Sequence, residues 1–330
     1  MAIRFFDMFA GIGGFRSGLE AVGGFECIGH CEIDKKANQA YNAIYQPKGE
    51  IYFEDATKID TNDLPDIDLI CAGFPCQSFS VAGKRLGFRD DTRGTLFFEV
   101  ARIAEAKRPP LFLLENVPGL LSHDGGRTFA AILHALDGLG YGLEWQVLNS
   151  KDFGVPQNRE RIFLVCFRED VAPEDFKFPE PTGEKVSIRQ IMDDAPISPK
   201  YYLSDVYLET LRRHRAHHES LGHGFGYEIK DLDGIASAIV CGGMGRERNL
   251  IIDHRPHSMK PVTHIKGEIN KEDVRKMTPR EWARLQGFPD NYKLPLSDVH
   301  LYKQFGNSVT VPVIAAIAKE IKKVLDGQGK

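Results

Sequence analysis

The chain has 330 residues, of which 42% are hydrophobic and 27% are charged, and these ordinary values exclude a disordered chain or a fibrous repeat. The net charge of −4 is uneven: residues 1–183 carry 19 basic and 27 acidic side chains, whereas residues 276–330 carry 9 basic and 5 acidic ones. The first part therefore favours a catalytic or cofactor-binding role, and the later part favours contact with a polyanion.

Neither a membrane segment nor a disulfide framework is indicated by the sequence. It contains no run of about 18 apolar residues, and its first residues lack the pattern of a signal peptide, which predicts a cytoplasmic protein. The six cysteines include no Cys-x-x-Cys pair, and so few cysteines in a long chain predict free thiols.

The first 170 residues alternate short apolar runs with amphipathic segments. The apolar runs predict strands at Ile3–Phe9, Phe25–Cys31, Leu69–Ala72, Leu111–Glu115, Leu143–Leu148 and Ile162–Phe167. Helical spacing predicts helices at Phe15–Ala21, Lys35–Tyr45, Thr95–Ala106 and Thr128–Leu139. This alternation predicts an α/β fold with a mainly parallel sheet and helices on both faces.

The alternating pattern breaks near Phe178–Gly183, which predicts a boundary. The segment that follows has no clear period and contains glycine-rich turns, as expected of a smaller, loop-rich domain. Val311–Leu325 predicts a final helix that can pack on the first domain. We therefore expect a first domain over residues 1–183, a second over 184–275, a hinge segment over 276–300 and a returning segment over 301–330.

A glycine-rich turn follows the first predicted strand, in the segment Asp7–Phe15. Its glycines allow positive φ angles and close approach of a ligand, and the helix that follows favours a negative group. About 20 residues later, Glu32 can accept hydrogen bonds from a ribose. The spacing Gly-x-Gly-Gly disfavours a dinucleotide and favours a nucleoside with a short zwitterionic tail, such as S-adenosylmethionine. A tight turn without a ligand is the alternative.

A Gly-Phe-Pro-Cys turn follows the strand predicted at Leu69–Ala72. Cys71 lies inside that strand as a core thiol, whereas Cys76 follows a proline in the turn, where a thiol can be directed into a pocket as a nucleophile. The next segment, Val81–Arg93, is basic and can bind phosphates. A solvated charged loop is the alternative interpretation of that segment.

Two further segments carry charged side chains at the ends of predicted strands. Glu115 ends an apolar strand, and burying a carboxylate there is costly unless it is paired or protonated. Arg159 and Arg161 precede the strand predicted at Ile162–Phe167, where they can donate a fork of hydrogen bonds to a carbonyl oxygen. A surface ladder of ion pairs explains the two arginines equally well.

Taken together, these segments resemble the DNA (cytosine-5) methyltransferases, in particular the compact bacterial modification enzymes. The resemblance covers nearly the whole chain in the family's motif order: Asp7–Gly14, Glu32 with Ile33, Asp55, Gly73–Gln77, Glu115–Val117, Gln157–Arg161, Arg275–Glu281 and Gln304–Val309. One departure is Ala238-Ile239, where the family commonly has a Thr-Leu or Thr-Ile pair in its target domain.

The resemblance implies a Rossmann-like S-adenosylmethionine-dependent methyltransferase fold with a smaller, loop-rich target recognition domain. It implies the catalytic residues Cys76, Glu115, Arg159 and Arg161. The implied cofactor contacts are Asp7, Phe9, Ala10, Gly11, Gly13, Gly14, Glu32, Ile33, Asp55, Pro75, Asn307 and Ser308. The expected DNA contacts are Lys84, Arg85, Arg89, Arg93, Arg246, Arg248, Asn249 and Arg255.

The implied reaction transfers a methyl group from S-adenosylmethionine to C5 of a flipped-out cytosine in double-stranded DNA and leaves S-adenosylhomocysteine. No metal is needed for this chemistry. We expect a monomer, with a cognate restriction endonuclease as a possible partner. The alternatives are a tRNA cytosine-C5 methyltransferase, against which the Phe-Pro-Cys turn and the sizeable second domain argue, and a non-catalytic DNA-binding regulator, against which Cys76 and Glu115 argue.

Overall fold

The structure, a computed structural model, describes residues 2–74, 96–173, 176–224, 226–255 and 267–328. The helices are α1 (Gly14–Val22), α2 (Lys35–Tyr45), α3 (Leu96–Lys107), α4 (Arg127–Gly138), α5 (Ile188–Ile191), α6 (Asp205–Ser220), α7 (Pro279–Leu285), α8 (Asp298–Asn307) and α9 (Val311–Gln328). The strands are β1 (Ile3–Met8), β2 (Phe25–Cys31), β3 (Ile51–Phe53), β4 (Leu69–Gly73), β5 (Leu111–Asn116), β6 (Tyr141–Asn149), β7 (Gln157–Asn158), β8 (Glu160–Arg168), β9 (Ala236–Ser237), β10 (Leu250–Ile252) and β11 (Val274–Lys276).

The chain divides into two compact units. The first comprises Met1–Asn149, Glu160–Pro181 and Val311–Lys330, and the second comprises Ser150–Arg159 and Thr182–Thr310. The domain boundaries expected from the sequence stay a prediction. Among the described residues, no helix combines the length and the apolarity that a bilayer crossing requires.

The first unit contains one sheet, in which the described strands follow the order β3-β2-β1-β4-β5-β8-β6. The strands from β3 to β5 pair in parallel, β8 runs antiparallel to β5, and β6 runs antiparallel to β8. This arrangement confirms the predicted α/β class with a mainly parallel sheet. The sequence did not predict β3, because three half-exposed residues are too short to show a period.

The central strands are buried on both faces. In β1 the successive residues Phe5 and Phe6 are both fully buried, and in β5 the same holds for Leu113 and Leu114. Since successive side chains in a strand point to opposite faces, helices must cover both sides of the sheet. The predicted carboxyl-terminal helix is present as α9, which packs against α1 so closely that a Cβ atom on Gly18 would lie 2.6 Å from Cβ of Ile314.

The second unit contains short paired strands and the long helix α6. β10 pairs antiparallel with β11, and β7 pairs in parallel with β9. Helix α6 contributes Leu208 and Leu211 to a small apolar core with Leu203, Leu250 and Val274. The sequence did not predict α6, because these two residues are its only buried ones and sixteen residues with so few apolar positions show little periodicity.

Candidate active site

Three neighbouring parallel strands of the first unit end at the same edge of the sheet. Gly73 of β4 lies opposite Glu115 of β5, and Met8 of β1 lies opposite Ala72. One edge of the sheet therefore brings together the glycine-rich turn after β1, Phe74 after β4 and the candidate carboxylate of Glu115. Open α/β sheets bind their ligands at this carboxyl edge.

The glycine-rich turn is hydrogen-bonded to Cys31 at the end of β2, through the amide of Ala10, and to Glu32, which follows β2. Gly11 and Gly13 both have positive φ angles, 57° and 81°. The Gly11 amide donates to Oε2 of Glu32 over 2.7 Å, and the Asp34 amide donates to Oε1 over 2.7 Å. The carboxylate of Glu32 is thereby held beside the turn. A carboxylate at this place can also accept hydrogen bonds from the hydroxyl groups of a ribose.

The surroundings of this turn fit a nucleoside. Ile33 exposes 68% of its surface, so it offers an apolar side chain next to Glu32 against which a flat base can pack. A Cβ atom on Gly11 would meet no atom within 4 Å among the described residues, which indicates space beside the turn. Asp55 caps a short helical turn through Thr57, and the hydrogen bond from the Thr57 hydroxyl lowers the pKa of Asp55.

Asp7 lies beneath the turn rather than on its surface. Its carboxyl group is fully buried in β1 and has no hydrogen-bond partner of normal geometry among the described residues. Burial raises the pKa of Asp7 well above its ordinary value, and the nearby charge of Arg16 opposes this shift only in part. A direct contact with a ligand, as the resemblance implied, is not supported by this position.

Glu115 and Arg161 form an ion pair at the carboxyl edge. Nε of Arg161 lies 3.0 Å from Oε1 of Glu115, and the two side chains are only 17% and 12% exposed. Of the two states expected for a carboxylate at the end of an apolar strand, the paired one is present. A Cβ atom on Gly73 would lie 3.3 Å from Oε2 of Glu115, so the smallest residue leaves room for the carboxylate.

Asn116, to which the sequence pattern assigns no role of its own, ties β5 to the end of β4. Its side chain is nearly buried, and its Nδ2 atom donates to the carbonyl oxygen of Phe74 over 2.9 Å. Its Oδ1 atom accepts from the amide of Val117. The only signal for this role was its position directly after Glu115.

Several predicted site residues lie outside the described residues, namely Pro75, Cys76, Lys84, Arg85, Arg89 and Arg93. Cys71 is fully buried in β4, and burial raises the pKa of its thiol, which disfavours the reactive thiolate.

In the second unit, the side chain of Arg159 binds two separate segments of backbone. Its side chain is 2% exposed and donates to the carbonyl oxygens of Ile239, Gly306 and Ser308 over 2.8 to 3.2 Å. Because these bonds hold the guanidinium inside the unit, Arg159 is suited to support other residues rather than to touch a substrate. Of the two expected cofactor contacts beside it, Asn307 is exposed and Ser308 is nearly buried.

A second residue to which the sequence pattern assigns no role of its own, Gln157, holds the same backbone. Gln157 is fully buried, accepts a hydrogen bond from the amide of Ile239 and donates to the carbonyl oxygen of Leu285. The departure noted at Ala238-Ile239 therefore lies in backbone that is held by Gln157 and Arg159.

The predicted DNA contacts of the second unit differ in accessibility. Arg246 lies over the ring of Tyr302, and Arg248 is exposed. Asn249 is fully buried and pairs with both backbone groups of Ser237, so it cannot reach DNA from this position. Arg255 is bound to both carboxylate oxygens of Asp253.

Comparison with known proteins identifies close relatives. A model of the family "C-5 cytosine-specific DNA methylase" matches residues 3–323. The Type II methyltransferase M.HpaII of Haemophilus parainfluenzae is 54% identical, over 97% of this chain and 89% of the relative. The Type II methyltransferase M1.ScrFI of Lactococcus lactis subsp. cremoris is 43% identical, over 99% of this chain and 80% of the relative.

The fold has solved counterparts as well. A mutant of DNMT2 from Spodoptera frugiperda superposes with a TM-score of 0.75 at 19% identity, over 98% of this chain and 100% of that structure. At this level of identity the likeness concerns the fold alone.

Proposed function

We infer the function from one premise: this chain belongs to the family of C-5 cytosine-specific DNA methylases. It has the Rossmann-like fold of the S-adenosylmethionine-dependent methyltransferases. It is a DNA (cytosine-5) methyltransferase of the restriction-modification type. We propose the roles of its individual residues in this reaction.

The observation that carries this assignment is the ion pair between Glu115 and Arg161 beside Gly73. Cytosine presents two neighbouring acceptors, the carbonyl oxygen O2 and the ring nitrogen N3. A guanidinium can donate to O2, while a carboxyl group that holds a proton can donate to N3. The pair stands at the end of β5, next to the strand that leads to Cys76 in the sequence.

The cofactor proposed for the glycine-rich turn is S-adenosylmethionine, which supplies an electrophilic methyl group on a positively charged sulfur atom. Gly11 and Glu32 would hold its nucleoside portion, with the Glu32 carboxylate accepting from the ribose. Ile33 would cover the adenine ring. Asp55 is proposed as a further contact, whereas Asp7 would support the turn from below.

Cys76 is proposed as the nucleophile, because C5 of cytosine is itself a poor one. The Cys76 thiolate forms a bond to C6, which moves electron density to C5. For this step the carboxyl group of Glu115 takes up a proton in place of its ion pair with Arg161; it then donates this proton to N3 while Arg161 donates to O2, so that negative charge does not accumulate on the ring. After methylation N3 returns its proton to Glu115, a base removes the proton from C5, the C5–C6 double bond forms again, and Cys76 leaves C6 as a thiolate.

The substrate proposed is double-stranded DNA, from which the target cytosine must be extruded at a cost of a few kcal/mol. Among the described arginines, Arg246 and Arg248 stay our candidates for contacts with DNA, and Lys84, Arg85, Arg89 and Arg93 are candidates from sequence alone. Asn249 and Arg255 are no longer candidates, because their polar groups are engaged within the unit. We also propose that the chain acts as a monomer and protects DNA from a cognate endonuclease.

Transfer of a labelled methyl group tests this proposal. Purified protein is incubated with S-adenosylmethionine labelled in its methyl group and either duplex DNA or a tRNA pool, and the nucleosides are then separated. We expect label in 5-methylcytosine from DNA alone. Label in tRNA alone, or on another atom of cytosine, would overturn the proposal.

A further inference from the structure

The glycine-rich turn is contacted by Tyr45, the last residue of helix α2. Gly13 stands at the start of α1 in the left-handed conformation, with φ 81°. The hydroxyl of Tyr45, the last residue of α2, donates to the carbonyl oxygen of Gly13 over 2.6 Å. The same carbonyl oxygen accepts from the amide of Ser17 over 2.9 Å. Two donors therefore fix the orientation of the peptide that ends the turn.

The ring of Tyr45 also packs directly against this glycine. A Cβ atom on Gly13 would lie 2.4 Å from Cε2 of Tyr45, a distance that side chains do not tolerate. The Tyr45 ring therefore occupies the space that a side chain at position 13 would need. Glycine is required at position 13 for two reasons, namely its positive φ angle and the ring beneath it.

Tyr45 is itself held in place by Arg16. The guanidinium carbon of Arg16 lies 4.4 Å from the centroid of the Tyr45 ring. Both terminal nitrogens of Arg16 bind the carboxylate of Glu50, over 2.7 and 2.9 Å, and Nε binds Glu20 over 2.7 Å. Since the Arg16 side chain is only 8% exposed, the contact between its guanidinium and the Tyr45 ring is largely shielded from solvent.

We propose that Tyr45 is a positioning residue for the cofactor: its hydroxyl and ring set the glycine-rich turn in the geometry that binds S-adenosylmethionine. This inference rests on the proposed function, because that function assigns the cofactor to the turn. Tyr45 acts through Gly13. The Gly11 amide, two residues before Gly13 in the same turn, binds the Glu32 carboxylate and therefore depends on the same backbone path.

The substitution Tyr45→Phe removes the hydroxyl and keeps the ring. We expect the Kd for S-adenosylhomocysteine, measured by calorimetry with the full chain, to rise about 5-fold, the effect typical of losing one hydrogen bond. The KM for the cofactor should rise by a similar factor. Because Tyr45 contacts the turn and not the reacting groups proposed above, the kcat at saturating cofactor and the Kd for duplex DNA should stay unchanged.

The matched control is Tyr141→Phe at the first residue of β6, a strand that three others separate from β1 in the sheet. The Tyr141 hydroxyl is buried and likewise donates to a backbone carbonyl oxygen, that of Pro109, over 2.7 Å. Tyr141→Phe should lower the melting temperature and leave the Kd for S-adenosylhomocysteine unchanged. A purely structural role for Tyr45 predicts that its variant behaves like this control.

The outcomes separate the inference from the function on which it rests. If the wild-type protein binds S-adenosylhomocysteine and Tyr45→Phe binds it equally well, Tyr45 does not position the turn and this inference is wrong. If both hydroxyl variants weaken binding equally, the effect is one of general stability, which also overturns it. If the wild-type protein itself does not bind S-adenosylhomocysteine, the proposed function fails instead.

Discussion

The side-chain amide of Asn116 donates a 2.9 Å hydrogen bond to the carbonyl oxygen of Phe74. This bond joins the end of β5, next to Glu115, to the last described residue before Pro75 and Cys76. It thereby ties the backbone that carries the proposed proton donor to the backbone that leads to the proposed nucleophile. The two groups act on C6 and N3, which lie opposite each other in one pyrimidine ring, so their relative position governs the rate.

Replacing Asn116 should therefore slow the attack of Cys76 without affecting the cofactor. We expect Asn116→Ala to reduce the single-turnover rate of methyl transfer about 10- to 100-fold, because a small misplacement of reacting groups is costly. The Kd for S-adenosylhomocysteine should be unchanged. The exposed Asn42→Ala on α2 is the control. An unchanged rate in Asn116→Ala would show that this hydrogen bond does not position the nucleophile.

Glu115→Gln tests the carboxyl group itself. The amide keeps the shape of the side chain, but it can no longer exchange a proton with N3 of cytosine. We expect kcat to fall about 100- to 1000-fold, a typical loss when a general acid is removed. The exposed Glu144→Gln on β6 should retain full activity. Steady-state methylation of duplex DNA measures both variants, and near-normal kcat in Glu115→Gln would refute the assigned role.

Arg159 and Arg161 should respond differently to the same substitution. Arg159→Lys removes a guanidinium that donates to the carbonyl oxygens of Ile239, Gly306 and Ser308, so we expect stability to fall by roughly 2–4 kcal/mol. Arg161→Lys replaces the planar guanidinium group beside Glu115 by an ammonium group, and we expect lower kcat with little change in stability. Urea unfolding and methylation assays on both variants provide the comparison. If Arg159→Lys instead lowered kcat and Arg161→Lys lowered stability, Arg159 would act in the reaction and Arg161 would support the fold.

Because the pKa of Asp7 is raised, we expect the free energy of unfolding of the protein to depend on pH. Burial raises the pKa of Asp7 in the folded protein above its unfolded value of about 3.9. At pH values below about 3.9, Asp7 is protonated in both the folded and the unfolded state. As the pH rises above it, the unfolded state releases a proton that the folded state retains, so stability falls until the pH passes the folded pKa.

Asp7→Asn has no titrating group at this position. The free energy of unfolding of this variant, relative to wild type, should therefore increase steadily as the pH is raised from about 4. Urea unfolding at several pH values measures this difference. A difference that does not change with pH would mean that Asp7 ionises as easily in the folded state as in the unfolded one.

Local patterns in the sequence predicted the sheet well. Phe25–Cys31 and Lys35–Tyr45 were predicted with their observed bounds, because the first is a short, mainly apolar segment and the second follows a capping aspartate, Asp34. β3 and α6 were not predicted, because the burial of few apolar residues leaves little trace in a sequence.

The candidate site was predictable as residue types but not as contacts. Glu115 and Arg161 were singled out by their positions at strand ends, and their pairing follows from the antiparallel register of β5 and β8, which the sequence does not reveal. Tyr45 and Gln157 act through buried hydrogen bonds to backbone of distant segments. Asn249, an apparent surface residue by type, is buried for the same reason.

The central claim is that the thiolate of Cys76 bonds to C6 of a cytosine, and a duplex that carries 5-fluorocytosine at the target position tests it most directly. Fluorine cannot leave C5 as a proton does, so the bond between enzyme and base should persist once the methyl group has been transferred. With S-adenosylmethionine present, denaturing electrophoresis should show a protein–DNA adduct for the wild-type chain and none for Cys76→Ser. An adduct of equal yield with Cys76→Ser would contradict the account, as would the absence of any adduct with an active wild-type protein.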